Sequence, residues 1–311
     1  MSRDYRPDES LEAREAVPTT ARDPDKRSGA ETSREAVIED RAQEQNRRAP
    51  AIETPREKSP SAERRKRCEF REQTYWLRSS EIRTLTELGK FRIVAARDLR
   101  RFAYAQERVR MKPDLQNLLR QGLISERVVP QDETPPRRLL ALTKSGYKLL
   151  VGLKRVPSDQ ALYYGLKKPR EALHDANLYR LYQKASREIE ERGGKKLRVV
   201  LDYELQKRVY HDIAKSAPHE NPSDRKQQVA EKHGLQVVRG KIPLPDMRIE
   251  YETPDGQMAR VDLELATGNY RGSHVAERVQ AGFSIYADAQ DAARLRRIVD
   301  QRELTAEILS L

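Results

Sequence analysis

Lys112-Pro-Asp-Leu-Gln-Asn-Leu-Leu-Arg-Gln-Gly-Leu-Ile-Ser-Glu-Arg-Val-Val129 is the stretch from which the rest of the chain can be ordered. Pro113 suits the first turn of a helix, and Leu115, Leu118 and Leu119 repeat at i, i+3 and i+4. Gly122 follows the last periodic residue, where a helix usually stops. Leu123–Val129 then reads as extended, and a second extended piece, Arg137–Leu142, follows the turn-rich Pro130-Gln-Asp-Glu-Thr-Pro-Pro136. Upstream, Ser79 or Ser80 can cap a helix through Glu81–Leu88 that breaks near Gly89. Phe91-Arg-Ile-Val94 comes next, then a short helical pattern from Ala95 to Ala103; Thr143 caps a closing helix to about Val151. Three helices, a β-hairpin and a closing helix over residues 79–154 predict a winged helix-turn-helix.

In that architecture the third helix enters the major groove of DNA and the hairpin touches backbone or minor groove. With the leucines inward, Lys112, Gln116, Asn117 and Arg120 are expected to face outward. Gln and Asn suit adenine, Arg suits guanine, and Lys suits phosphate. Arg108 and Arg110 before the helix, with Arg127, Arg137 and Arg138 on the hairpin, suit phosphate anchoring.

The charge distribution points to the same block. The 311 residues carry 61 Lys and Arg against 49 Asp and Glu, a net of +12. Residues 79–154 hold +8 of it, residues 155–311 hold +3, and residues 1–67 hold +1. A local excess of that size suits a polyanionic partner, here double-stranded DNA. Residues 1–78 combine high charge with few large apolar side chains and read as a disordered tail. Its Arg64-Arg-Lys-Arg67 run reads as a solvated cluster before it reads as an auxiliary phosphate contact. No apolar run approaches the roughly 18 residues of a membrane helix. Met1-Ser-Arg-Asp-Tyr5 is followed by no hydrophobic stretch, so no secretory signal is expected. The single cysteine, Cys68, leaves no internal disulfide and has no histidine partner in view. A cytoplasmic protein without membrane partners is the resulting expectation.

Residues 155–170, with Pro157, Gly165 and Pro169, read as a linker, and residues 171–311 as a second, α/β domain. Glu171 to about Arg192 presents a broad apolar helical face, and Leu197–Tyr203 suits a buried strand. Residues 205–234 are polar and mixed, a helical excursion in which His211, His219 and His233 have no metal-ligand spacing. Pro254-Asp-Gly256 suits a three-residue hairpin loop. That loop sets Ile249 opposite Val261, Met247 opposite Leu263, Arg248 opposite Asp262 and Glu250 opposite Arg260. It also sets Asp246 opposite Glu264, a pair of like charges. Such a pair is tolerated in water or holds a divalent cation, and charged sheet faces usually mean solvent. Ala266 stands where a supporting lysine would strengthen the metal reading, and Arg278 or Lys241 would be the alternative source of positive charge. His174 reads as a core or capping histidine before a ligand. Helices from His274 to Phe283 and from about Asp288 to Val299, with Leu304–Leu311 as a last strand, complete an α/β sandwich.

The chain resembles the replication-relaxation family of plasmid and integrative-element proteins over about residues 80–311. The likeness rests on Gln121-Gly-Leu-Ile124, Ala141-Leu-Thr-Lys-Ser-Gly146, His174-Asp-Ala-Asn-Leu-Tyr179, Pro245-Asp246 and Val261-Asp-Leu-Glu-Leu-Ala-Thr267. It implies a winged helix followed by a restriction-endonuclease-like α/β domain, with Asp246 and Glu264 as metal ligands. Ala266 departs from the active pattern, so the resemblance implies a degenerate domain. Three functions follow. The leading one is a duplex-DNA-binding protein acting in replication, mobilisation or its regulation, requiring no cofactor, with replication or transfer proteins as further partners. The second is a Mg²⁺- or Mn²⁺-dependent nuclease or nicking enzyme using Asp246 and Glu264, with Asp262 in support. The third is a protein–protein scaffold.

Overall fold

The computed structural model describes residues 63–130, 136–166, 171–215, 221–268, 270–301 and 308–311. Most of the expected tail, residues 1–62, lies outside the described residues, as do 131–135 of the hairpin loop.

The part of the tail that is described does not behave as one. β1 (Lys66–Phe70) and β2 (Gln73–Leu77) form an antiparallel hairpin, paired from Lys66 with Leu77 to Phe70 with Gln73. Tyr75 and Leu77 alternate inward and are buried in the main core, which places 63–78 within the fold.

The winged helix follows: α1 (Ser79–Lys90), β3 (Val94–Ala95), α2 (Ala96–Ala103), α3 (Arg108–Arg120), β4 (Ile124–Val129), β5 (Arg137–Leu142) and α4 (Lys144–Gly152). Its three strands are ordered β3-β5-β4, all antiparallel. Neither serine caps α1. Arg78 is the N-cap, its N–H bonds Glu81, and Ser79 and Ser80 instead donate to Glu63 and Asp114. α3 begins at Arg108, so Pro113 lies in its second turn and not its first. Gly122, at φ 65°, ends it in the left-handed conformation that favours glycine. Thr143 caps α4, accepting from the Gly146 N–H.

The α/β domain is a five-stranded mixed sheet ordered β10-β9-β8-β7-β6. Its elements are α5 (Ala172–Glu191), β6 (Lys195–Leu201), α6 (Asp202–Lys215), α7 (Pro222–Lys232), β7 (Met247–Glu252), β8 (Met258–Ala266), α8 (Gly272–Gln280), β9 (Ser284–Ala287), α9 (Ala289–Gln301) and β10 (Ile308–Ser310). β6, β7 and β8 are antiparallel neighbours, whereas β9 and β10 join in parallel through crossovers carrying α8 and α9. β9 adds a strand to the sequence reading: four residues between two helices give too short a pattern to separate from a loop. The β7–β8 register is the one set by the Pro254-Asp-Gly256 loop, with Arg248 opposite Asp262 and Met247 opposite Leu263. Gly256 holds φ 76° in that loop.

The segment read as a linker is packed as far as it is described. Gln160 is buried and bonds both backbone groups of Val199, completing the open edge of β6. The Tyr163 and Gly165 N–H groups donate to the Gly89 and Leu142 carbonyls. Phe91 of the winged helix meets Tyr179 and Tyr182 of α5 at ring-centroid distances of 5.2 and 5.1 Å. One apolar core runs through both parts, so they are held as a unit.

Candidate functional site

On α3, Met111, Asp114, Leu115, Asn117 and Leu118 are buried. Lys112, Gln116 and Arg120, spaced by four, are exposed along one side, and Val109 at the start of the helix is 85% exposed. Asn117 corrects the sequence expectation: it is 7% exposed and faces the interior. Its amide donates to the Trp76 carbonyl at 2.9 Å and to Glu81 at 3.0 Å. Gln121 completes the same clamp on the Trp76 backbone. The hairpin β1–β2 covers that side of α3, and Asn117 therefore reads no base.

The cationic residues divide into engaged and available groups. Arg65 chelates Glu81 and is no auxiliary phosphate contact. Arg110 pairs with Glu107 at 3.2 Å, and Arg138 pairs with Glu126 across the wing. The strong bond to Glu126 raises the pKa of Arg138 and lowers that of its partner. Arg137 is half-buried, and its Nη1 reaches Asn177 Oδ1 at 3.5 Å. Burial, with Arg97 and Arg180 close by, holds its guanidinium below the ordinary arginine value. Arg108 and Arg127 are exposed.

Between α2, the first turns of α3 and the start of β5 lies a groove of about 590 Å³. Arg97, Arg100, Arg108, Arg137 and Arg138 line it with Ala95, Ala96, Met111 and Pro136, and no carboxylate stands among these residues. The sequence reading missed Arg97 and Arg100 because arginines on a short helix look solvated. The available signal was their i, i+3 spacing beside the inward Leu99, which points both to one side of α2.

In the α/β domain Asp246 and Glu264 do come together. The Asp246 N–H donates to Glu264 Oε2 at 3.2 Å, and the Leu265 N–H to Asp246 Oδ2 at 2.9 Å. The surroundings are not solvent: Glu264 is 1% exposed, and Arg248 on the same sheet face is buried, donating to the His233 and Gly234 carbonyls. The polar excursion folds over this face. Glu264 Oε1 accepts from Tyr270 at 2.7 Å and from Arg278 Nε at 2.8 Å. His174 Nε2 lies 3.4 Å from Asp246 Oδ2. Asp262 is held at both oxygens by Arg248, at 2.6 and 2.8 Å. A divalent cation needs carboxylate oxygens to spare, and here protein donors occupy both Glu264 oxygens and Asp246 Oδ2, the Arg278 guanidinium already neutralising Glu264. Among the described residues no group of three or more His, Cys, Asp or Glu could hold a metal. The residues do not fit a two-carboxylate metal centre, and no hydrolytic step is derived from them.

The cluster has instead a consequence for stability. Burial and the Asp246 charge push Glu264 up to about 7, against the pull of Arg278 and Tyr270. Burial alone would lower His174, but its bond to Asp246 and the charges of Asp246, Asp175 and Glu264 raise it. Burial likewise raises Asp175 to about 6, against Arg92. All three favour the protonated form in the fold, so their contribution is present at low pH and lost as pH rises through the folded values. Between pH 5 and 8 the melting temperature is expected to fall by roughly 4–8 °C from the Glu264 part alone, about 2 kcal/mol. Glu264→Gln should flatten this fall in calorimetric melts; an identical slope in the variant would sink the assignment.

No known protein family matches the sequence, and no curated protein matches it. Among solved structures, Bacillus subtilis PadR in complex with operator DNA is 18% identical, with 50% of this chain and 89% of that chain covered and a TM-score of 0.22. The protein smu.1604c from Streptococcus mutans UA159 is 16% identical over 51% of this chain and 95% of that chain, with a TM-score of 0.21. Likeness of that order transfers neither fold nor function to this chain. No described helix is long and apolar enough to cross a membrane.

Proposed function

We propose that the protein binds double-stranded DNA through its winged helix. The observation that carries this reading is the groove of five arginines, with no carboxylate in its lining among the described residues, on a domain whose α3 also exposes Lys112, Gln116 and Arg120. Arginines crowded together gain from a polyanion laid across them. In this reading α3 lies in the major groove, with Gln116 suited to adenine and Arg120 to guanine. Arg97, Arg100, Arg108 and Lys112 hold phosphates, Arg127 reaches the backbone from the wing, and Arg110, Arg137 and Arg138 contribute field more than direct contact. Fluorescence anisotropy of a labelled duplex across salt concentrations tests it. The logarithm of affinity should fall linearly with that of salt, with a slope of roughly −3 to −4.5 for three to five phosphates. No affinity at low salt would favour the scaffold instead.

Val109 adds a sequence preference. An 85% exposed valine amid cations contributes nothing to the core, and the thymine methyl is the apolar group of the major groove. Alternating dA-dT duplex should bind about threefold to fivefold more tightly than its dA-dU counterpart, the worth of one buried methyl. Val109→Ala should erase the difference. Equal binding of both duplexes by the wild type would remove Val109 from recognition and leave DNA binding standing.

The stretches resembling replication-relaxation proteins support placing this contact in replication, mobilisation or its regulation on a plasmid or integrative element, with replication or transfer proteins as partners. The nuclease reading is not adopted, because Arg278 and Tyr270 occupy the Glu264 oxygen it needs.

A further inference from the structure

α6 has an inward and an outward side. Leu205 and Val209 face inward and pack with Val200, Val229 and Leu235. Outward, Tyr203, Lys207 and Tyr210 follow one another at i, i+4 and i+7, and both tyrosines are 57% exposed. His211 and Lys215 extend the same surface. Among the described residues Lys207 and Lys215 form no ion pair. The carboxylates of this helix are engaged elsewhere: Asp202 with Arg92 at 2.8 Å, Glu204 with Arg208, and Asp212 with Lys232 at 2.9 Å. Beside the stripe runs an open cleft of about 490 Å³ between residues 158–161 and α6, with Lys207, Arg208 and His211 on its wall.

We propose that this face of α6 binds single-stranded nucleic acid, bases stacked on Tyr203 and Tyr210 and backbone phosphates on Lys207, His211 and Lys215. The chemistry selects the ligand. Tyrosine rings interleaved with lysines match bases alternating with phosphates, and base–aromatic stacking tolerates any sequence. A duplex hides its base faces within the stack, so two rings on a convex helix gain from them only in a single strand. The stripe contains no Leu, Ile, Phe or Trp with which to enter a bilayer. Seven residues of helix separate the tyrosines by about 10 Å along the axis, so the two rings stack on separate bases. The site is distinct from the arginine groove, and a chain with both would hold a duplex and an opened strand together.

The test measures anisotropy of labelled (dT)20 and of a labelled 20-base-pair duplex with the full chain at low salt. Tyr203→Ala with Tyr210→Ala should weaken (dT)20 binding by roughly tenfold per ring and leave duplex affinity unchanged. Tyr203→Phe with Tyr210→Phe, which keeps the rings, should retain most of it, and the fold is checked by an unaltered melting curve. Conversely, Arg97→Ala with Arg100→Ala should weaken the duplex and spare (dT)20, separating this inference from the winged-helix reading. Absent (dT)20 binding, an equal loss for both nucleic acids in the alanine variant, or binding to phosphatidylserine vesicles that depends on the same tyrosines would overturn it.

Discussion

Replacing Arg97, Arg100 and Arg108 together by alanine is expected to weaken duplex binding about a hundredfold at roughly 150 mM salt. It should also flatten the salt dependence by about 2.7 in slope, at about 0.9 for each phosphate the variant no longer neutralises. The three are chosen because, of the five arginines lining the groove, they are neither held by Glu126, as Arg138 is, nor packed against α5, as Arg137 is. Among the described residues Arg97 has a long contact to Asp98, at 3.8 Å; Arg100 Nε is buried without a hydrogen-bond partner; Arg108 is exposed. Removing them leaves no stranded carboxylate, so the melting temperature should hold within the range of ordinary surface substitutions. Affinity and stability are thereby read apart. Arg138→Ala should do less, because Glu126 already neutralises that guanidinium. Arg110→Ala should do least, since Glu107 holds it and it lies outside the groove. An unchanged dissociation constant and slope in the triple variant would end the proposal that this groove is the DNA contact.

What was legible in the sequence follows the range of the interactions that decide each feature. The β7–β8 register came out of three residues, Pro254-Asp-Gly256, because a tight loop fixes pairing over the strands beside it. The inward leucines of α3 came out of their spacing. Asn117 reads as outward-facing because its partners, Trp76 and Glu81, lie 41 and 36 residues away. The β1–β2 hairpin reads as tail because only Tyr75 and Leu77 of its second strand turn inward, amid polar and charged neighbours. The charged face of β7–β8 reads as solvated for a similar reason. Nothing local says that the stretch from α6 onward folds back, with the carbonyls of His233 and Gly234 receiving Arg248. Pairing Asp246 with Glu264 was a matter of register; finding Arg278 and Tyr270 on the same carboxylate was not.

Glu81→Leu should be the most destabilising single change in the winged helix, costing about 3–5 kcal/mol. The carboxylate is fully buried and gathers four donors: Arg65 Nε at 3.0 Å and Nη2 at 2.8 Å, Asn117 Nδ2 at 3.0 Å, and the Arg78 N–H at 2.8 Å. These come from the segment before β1, from α3 and from the cap of α1, so one side chain fixes three elements that local sequence leaves independent. The large cost arises because a leucine side chain at this position removes the acceptor shared by all four donors, leaving the Arg65 guanidinium its 3.4 Å contact with the Pro113 carbonyl and the Asn117 amide its bond to the Trp76 carbonyl. Asp114 cannot substitute, since it is already taken by Arg78 at 3.2 Å, Ser80 at 2.6 Å and Tyr104 at 3.1 Å. The source of the cost can be isolated with Arg65→Leu in a double-mutant cycle. If the stranded guanidinium dominates, the double variant should recover a large part of the loss, a coupling beyond about 1 kcal/mol in chemical denaturation. Simple additivity would assign the cost to packing instead. Because Asn117 loses one of its two acceptors and keeps the Trp76 carbonyl, Glu81→Leu should also loosen the azimuth of α3 and weaken duplex binding at temperatures where the chain is still folded. A variant that loses less than about 1 kcal/mol would show that α3 is positioned by its leucines alone.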